Sequence, residues 1–80
     1  MQDQTVTFSI GEDKTAQMKS FLRVVYDALT EKGYNPVNQI VGYILSEDPT
    51  YITTHNNARS IISKLDRDEL LRELVKDFLE

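Results

Sequence analysis

Apolar side chains recur at intervals of three and four along most of this chain, and at intervals of two at its start. The three-and-four spacing marks amphipathic helices, and the spacing of two marks extended backbone. Met18, Phe21, Leu22, Val25 and Leu29 fall on one stripe, with Lys19, Arg23, Asp27 and Glu31 on the other side. This predicts a helix over 14–32. Asp13 suits its N-cap, and Gly33 suits the left-handed residue that ends it.

The next helix opens at Asn35-Pro36, an N-cap followed by the residue favoured at the first helical position. Val37, Ile40, Val41, Ile44 and Leu45 make an apolar arc of about 140° at 100° per residue. That arc is expected to face the core. The remaining arc is Asn38, Gln39, Gly42 and Tyr43, and no charged residue occurs from Gly33 to Ser46. A solvated face ordinarily carries Lys or Glu, and a mid-helix glycine costs about 1 kcal/mol against alanine. Close approach of another backbone is the usual justification. Asn38, Gln39, Gly42 and Tyr43 are therefore the dimer-interface candidates.

Ser46-Glu47-Asp48-Pro49 stops this helix, and Asp48-Pro49 caps a short helical turn running through Ile52. Thr53 to Asn57 reads as a polar connector. Ala58, Ile61, Ile62 and Leu65 form one face of a third helix, with Arg59, Ser60, Ser63 and Lys64 outside. Asp66 to Glu69 approximates a capping box. It starts a fourth helix whose Leu70, Leu71, Leu74, Val75, Phe78 and Leu79 span about 180°, wide for a helix with a single apolar neighbour. At the start, Val6, Phe8 and Ile10 alternate with Thr5, Thr7 and Ser9, and Gly11-Glu12-Asp13 breaks the pattern. The prediction is an all-α compact bundle of four main helices plus a short helical turn. An extended N-terminal arm over 1–12 precedes a helical dimerisation domain over 13–80.

Composition narrows the function classes. Eighty residues make one small domain with little stability to spare. The chain has no cysteine and one histidine, so disulfides and thiolate metal sites are out and a zinc site is disfavoured. Oligomerisation is the remaining support, and a homodimer is the natural form. The start of the chain lacks a basic segment followed by a long apolar one, and IVGYIL is too short to span a membrane. A cytoplasmic location without membrane insertion is expected. The net charge of −4 argues against nucleic acid as the main partner.

Catalytic chemistry is sparse. There is no cysteine nucleophile, nucleophile elbow or phosphate-cradling glycine loop. His55 beside Asn56 and Asn57 reads as a connector or capping residue rather than an acid–base group. Asp66, Asp68, Glu69 and Glu73 read as partners of a helix dipole rather than cation ligands. No enzyme, cofactor or metal is expected. A helix-turn-helix over 36–65 would have only Arg59 and Lys64 to offer DNA. On the arm, Thr5 and Thr7 are either the outward side of a strand or accessible phosphoacceptors. A phosphate there adds nearly two negative charges and could engage Arg23, Arg59 or Lys64.

The run EKGYNPVNQIVGYILSEDPTYI, continued by HNNAR at 55–59 and DRDELLRELVKDFL at 66–79, resembles the IreB/ReoM family of small bacterial regulatory phosphoproteins. DQT at 3–5 extends the likeness to nearly the whole chain. The resemblance implies a cytoplasmic, all-helical homodimer without enzymatic activity. It implies phosphorylation by a membrane Ser/Thr kinase with PASTA repeats and reversal by a PP2C-type phosphatase. Through this cycle the family controls peptidoglycan synthesis and resistance to cell-wall antibiotics. The unphosphorylated form promotes ClpCP-dependent degradation of MurA. The family's acceptor threonine falls on Thr5, with Thr7 a second candidate. Arg23, His55, Arg59 and Lys64 become candidates for partner binding or for receiving the phosphate. Relatives commonly read DPxYIPRHxDAR; here Thr53, Thr54, Asn56 and Asn57 depart from that pattern, leaving less positive charge on the connector. The alternative is a constitutive structural adaptor or DNA-associated dimer whose arm only packs.

Overall fold

The computed structural model describes residues 2–80, with side chains described from Lys14 onward. The backbone of 2–12, expected as an extended arm, and the helix start expected at Asp13 fall instead within one continuous helix that begins at Gln2; the side chains of Thr5, Thr7 and Asp13 lie outside the described residues. Four α-helices follow in order: α1 (Gln2–Glu31), α2 (Pro36–Ser46), α3 (Ala58–Ser63) and α4 (Arg67–Leu79). Two 3₁₀ turns, Pro49–Tyr51 and His55–Asn57, lie between α2 and α3. No strand occurs among the described residues.

The punctuation acts as its chemistry dictates. Gly33 takes φ +87, and the amides of Gly33 and Tyr34 return to the carbonyls of Thr30 and Leu29, both at 3.0 Å. This paired closure satisfies carbonyls that the last turn of α1 leaves open. Asn35 then caps α2, its side chain accepting from the Asn38 amide at 3.1 Å. Asp48 caps the first 3₁₀ turn through Thr50. Asp66 caps α4 by accepting from the amides of Asp68 and Glu69. Glu69 does not close the expected box; its carboxylate reaches across to Lys14 at 2.9 Å.

The core draws on all four α-helices. Met18, Val25, Ala28 and Leu29 of α1 meet Tyr43 and Ile44 of α2, Ala58 and Ile62 of α3, and Leu70 of α4. Ile52, between the two 3₁₀ turns, is fully buried among them. Each fully buried Leu, Ile or Val contributes roughly 1.5–3 kcal/mol. Leu22, Ile40, Ile61 and Leu65 pack around the rim.

The orientation of α2 differs from the expectation. Ile40 and Ile44 point inward as predicted, but Val37, Val41 and Leu45 lie exposed. Tyr43, assigned to the outer arc, is buried. The helix has turned so that its core-facing arc is centred between Tyr43 and Ile44. The reason is the first 3₁₀ turn, which folds back over Gly42 and takes up one flank of α2.

Candidate functional site

The segment from α2 through the second 3₁₀ turn carries most of the side chains singled out above. Gly42 is where the chain doubles back most tightly. A Cβ at this position would lie 2.9 Å from Tyr51 Cζ and closer still to two other ring carbons. The close approach at Gly42 is thus made by the Tyr51 side chain of the same chain, not by the backbone expected there. Gln39 reinforces it, its Nε2 donating to the Tyr51 carbonyl at 2.9 Å. Of the four residues considered for the dimer interface, Gln39, Gly42 and Tyr43 are engaged within the protomer, and Asn38 is exposed.

Asp48 fixes the entry to this turn. One carboxylate oxygen accepts from the Thr50 amide at 2.9 Å and from the Thr50 hydroxyl at 2.7 Å. These hydrogen bonds, with Arg59 adding a smaller favourable field, hold the Asp48 carboxyl below its ordinary 3.8. Because these bonds favour the charged form, the turn is best held when Asp48 is ionised.

The connector is a shaped loop. Asn56 and Asn57 adopt φ values of 54 and 62, in the left-handed region. Asparagine visits this region far more readily than β-branched residues do. His55 Nε2 lies 2.7 Å from a Glu31 carboxylate oxygen, tying the connector to the end of α1. Arg59 turns inward: its Nε donates to the Ile52 carbonyl at 2.8 Å, and its amide donates to the Thr53 carbonyl. Arg59, expected on the outer face of α3, is therefore half-buried, because it satisfies a carbonyl that no regular element covers.

The candidate phosphate-receiving cations are not gathered into one cluster. Arg23 lies exposed on α1, 3.9 Å from Asp27 and with its guanidinium 5.4 Å from the Tyr26 ring centroid. Lys64 lies exposed just past the end of α3. His55 and Arg59 are committed to Glu31 and the Ile52 carbonyl. Arg23 and Lys64 keep their charge at the surface, whereas Arg59 spends part of its donor set on the fold.

Arg67 was not singled out by sequence reasoning, yet it joins two elements. Its guanidinium donates to the Ile44 carbonyl and to the Glu47 carboxylate, clasping the start of α4 to the end of α2. Glu47 itself sits at φ 62, and its amide donates to the Tyr43 carbonyl at 2.7 Å. The sequence signal for this clasp is weak, since nothing local links positions 47 and 67. Lys14 provides the matching tie from α1: the Glu69 hydrogen bond and charge raise its ammonium above the ordinary 10.5.

These features describe a body that presents surfaces and holds loops in place. Its polar side chains are used for caps, clasps and ties between elements. No helix among the described residues is long and apolar enough to cross a membrane. A family model for the IreB regulatory phosphoprotein matches residues 3–80, nearly the full chain, and the chain belongs to that family.

Proposed function

We propose that this chain is a non-enzymatic regulatory phosphoprotein switched by phosphate on Thr5 and, secondarily, on Thr7. The observation that carries the reading is the family match, which begins at Asp3, the first residue of the DQT triplet ending at Thr5. The kinase is a membrane Ser/Thr kinase with PASTA repeats, and a PP2C-type phosphatase reverses the mark. The output is control of peptidoglycan synthesis and of resistance to cell-wall antibiotics. The route is ClpCP-dependent degradation of MurA, which the unphosphorylated form promotes. The working form is a cytoplasmic homodimer.

The layout of the body supports a surface-based mechanism. A phosphate adds nearly two negative charges to a chain of net charge −4. The cations that can answer it without loosening the core are those whose charged ends stand in solvent. Arg23 and Lys64 meet that condition. Arg59 does not, because withdrawing it would leave the Ile52 carbonyl without its donor. The arm would then change which part of the body a partner can reach.

The test is phosphotransfer from the kinase catalytic domain to the full chain, with sites mapped by mass spectrometry. Thr5→Ala is expected to remove most incorporation, and the double change Thr5→Ala/Thr7→Ala to remove the rest. Undiminished incorporation in the double variant would overturn the acceptor assignment. Identical behaviour of Thr5→Glu and Thr5→Ala in cells would instead favour a constitutive adaptor.

A further inference from the structure

The connector between the two 3₁₀ turns and α3 carries hydrogen-bonding groups that the protomer itself does not use. His55 Nε2 lies 2.7 Å from a Glu31 carboxylate oxygen. A carboxylate only accepts, so Nε2 is the ring nitrogen that carries the proton in this contact. In the neutral ring Nδ1 is then an acceptor. Among the described residues no buried side-chain nitrogen or oxygen lacks a hydrogen-bond partner. Nδ1 makes no hydrogen bond, so it reaches solvent.

We propose that Glu31 is a positioning residue for His55. By taking the Nε2 proton it presents Nδ1 as the central acceptor of a recognition surface on the connector, fitted to a partner-protein segment that offers hydroxyl or amide donors. The proposal deepens the surface-based reading above and rests on the chain being a regulator that acts through protein partners.

The flanking groups agree in kind. Thr54 is exposed, and its side chain makes no cap to the turn that follows. Asn57 is exposed and makes no cap to α3. Asn56, between His55 and Asn57, is exposed as well. Hydroxyl and amide oxygens accept hydrogen bonds, so a donor-bearing segment seated on Nδ1 meets further acceptors on both sides. The backbone beneath them is already fixed. The His55 amide donates to the Thr53 hydroxyl at 3.2 Å, and the Arg59 amide donates to the Thr53 carbonyl at 3.1 Å. A loop set before binding loses little freedom when a partner arrives.

Charge turns the surface away from anions. The Glu31 side chain is 58% exposed, so its carboxylate stands at the rim beside the ring and repels a negative group. Arg59, the nearest cation along the chain, is half-buried and turned to the Ile52 carbonyl. Thr54, Asn56 and Asn57 carry no charge. A donor-bearing segment complements Nδ1 and the free lone pairs of Glu31 alike, whereas a phosphate or an acidic segment complements neither.

Nitrogen-15 NMR of the full chain reads the ring directly, because His55 is the single histidine. At alkaline pH the wild type should show one tautomer, with the proton on Nε2. Glu31→Gln keeps an acceptor oxygen and should hold that state. Glu31→Ala should bring in the form protonated on Nδ1, with helical circular dichroism unchanged. Inorganic phosphate should leave the ring resonances in place. The surface itself is read by photocrosslinking in cells, with a photoreactive residue in place of Thr54. The expected adduct is heavier than two 9.2 kDa protomers. Glu31→Ala should lower its yield by roughly 3- to 10-fold, the worth of one hydrogen bond, and Glu31→Gln should restore it. A wild-type ring protonated on Nδ1, a Glu31→Ala ring identical to wild type, a saturating shift with phosphate, or an adduct that is absent or indifferent to Glu31→Ala would overturn the proposal. The wild-type spectrum decides even if Glu31→Ala fails to fold. No kinase enters these measurements, so their failure leaves the Thr5 assignment standing, and loss of that assignment leaves the connector surface standing.

Discussion

Gly42 and Tyr51 form a unit in which each explains the other. Glycine in mid-helix gives up about 1 kcal/mol relative to alanine. The Tyr51 ring occupies the space that a Cβ would take, so the helix accepts that loss to let the first 3₁₀ turn lie flat against it. Gly42→Ala should therefore push the ring outward and lower stability by about 1 kcal/mol, overpacking outweighing the propensity gain. In a Tyr51→Ala background the same change should raise stability by about 1 kcal/mol. Urea denaturation of the four proteins checks the sign reversal, and a stabilising Gly42→Ala in the wild type would remove the ring from the explanation. The same local logic accounts for Asn56 and Asn57. Both hold φ values near +60, a region asparagine enters more readily than most residues.

At the level of elements, the two 3₁₀ turns decide how the helices sit. Capping signals made the helix boundaries readable: Gly33, Asn35-Pro36, Asp48-Pro49 and Asp66 all act where their chemistry places them. The rotation of α2 was not readable, because five apolar residues over 140° permit more than one inward direction. Burial of Ile52 and the return of Tyr51 over Gly42 select one. The Asp48 cap makes this turn acid-sensitive. Its folded carboxyl lies below the ordinary 3.8, so its contribution is fully present above that value and is lost as pH falls through the folded value. Asp48→Asn keeps an acceptor for Thr50 but cannot titrate. Melting followed by circular dichroism should show the wild type losing more stability than Asp48→Asn as pH drops below about 4. Parallel curves would mean that the cap does not couple to the fold.

For the whole molecule, the balance of covered and uncovered apolar surface is the governing fact. Among the described residues ten buried hydrophobic side chains form the core, while Leu45, Phe78 and Leu79 remain more than 70% exposed. If the proposed homodimer forms, it adds stability by association, and the melting temperature should then depend on concentration. A hundredfold rise in concentration adds about 2.7 kcal/mol per dimer, worth roughly 5–10 °C in a domain of this size. Differential scanning fluorimetry over that range checks it, and a melting temperature that does not move would assign the stability to the protomer alone.

The amino-acid sequence by itself determined the helical class, the helix ends marked by Gly33, Asn35-Pro36 and Asp66, and the family, because periodicity, caps and a distinctive run of residues are local properties; it did not place the start of α1, which lies at Gln2 rather than after Asp13. It also marked Gly42 as a site of close approach, made by the Tyr51 ring rather than by a backbone. Only the tertiary structure decided which surface meets Gly42, which way α2 faces, and that Arg59 and Arg67 serve the fold. Those outcomes depend on contacts between residues far apart in the chain, such as Ile44 with Arg67 and Glu31 with His55, and no local pattern encodes such pairings.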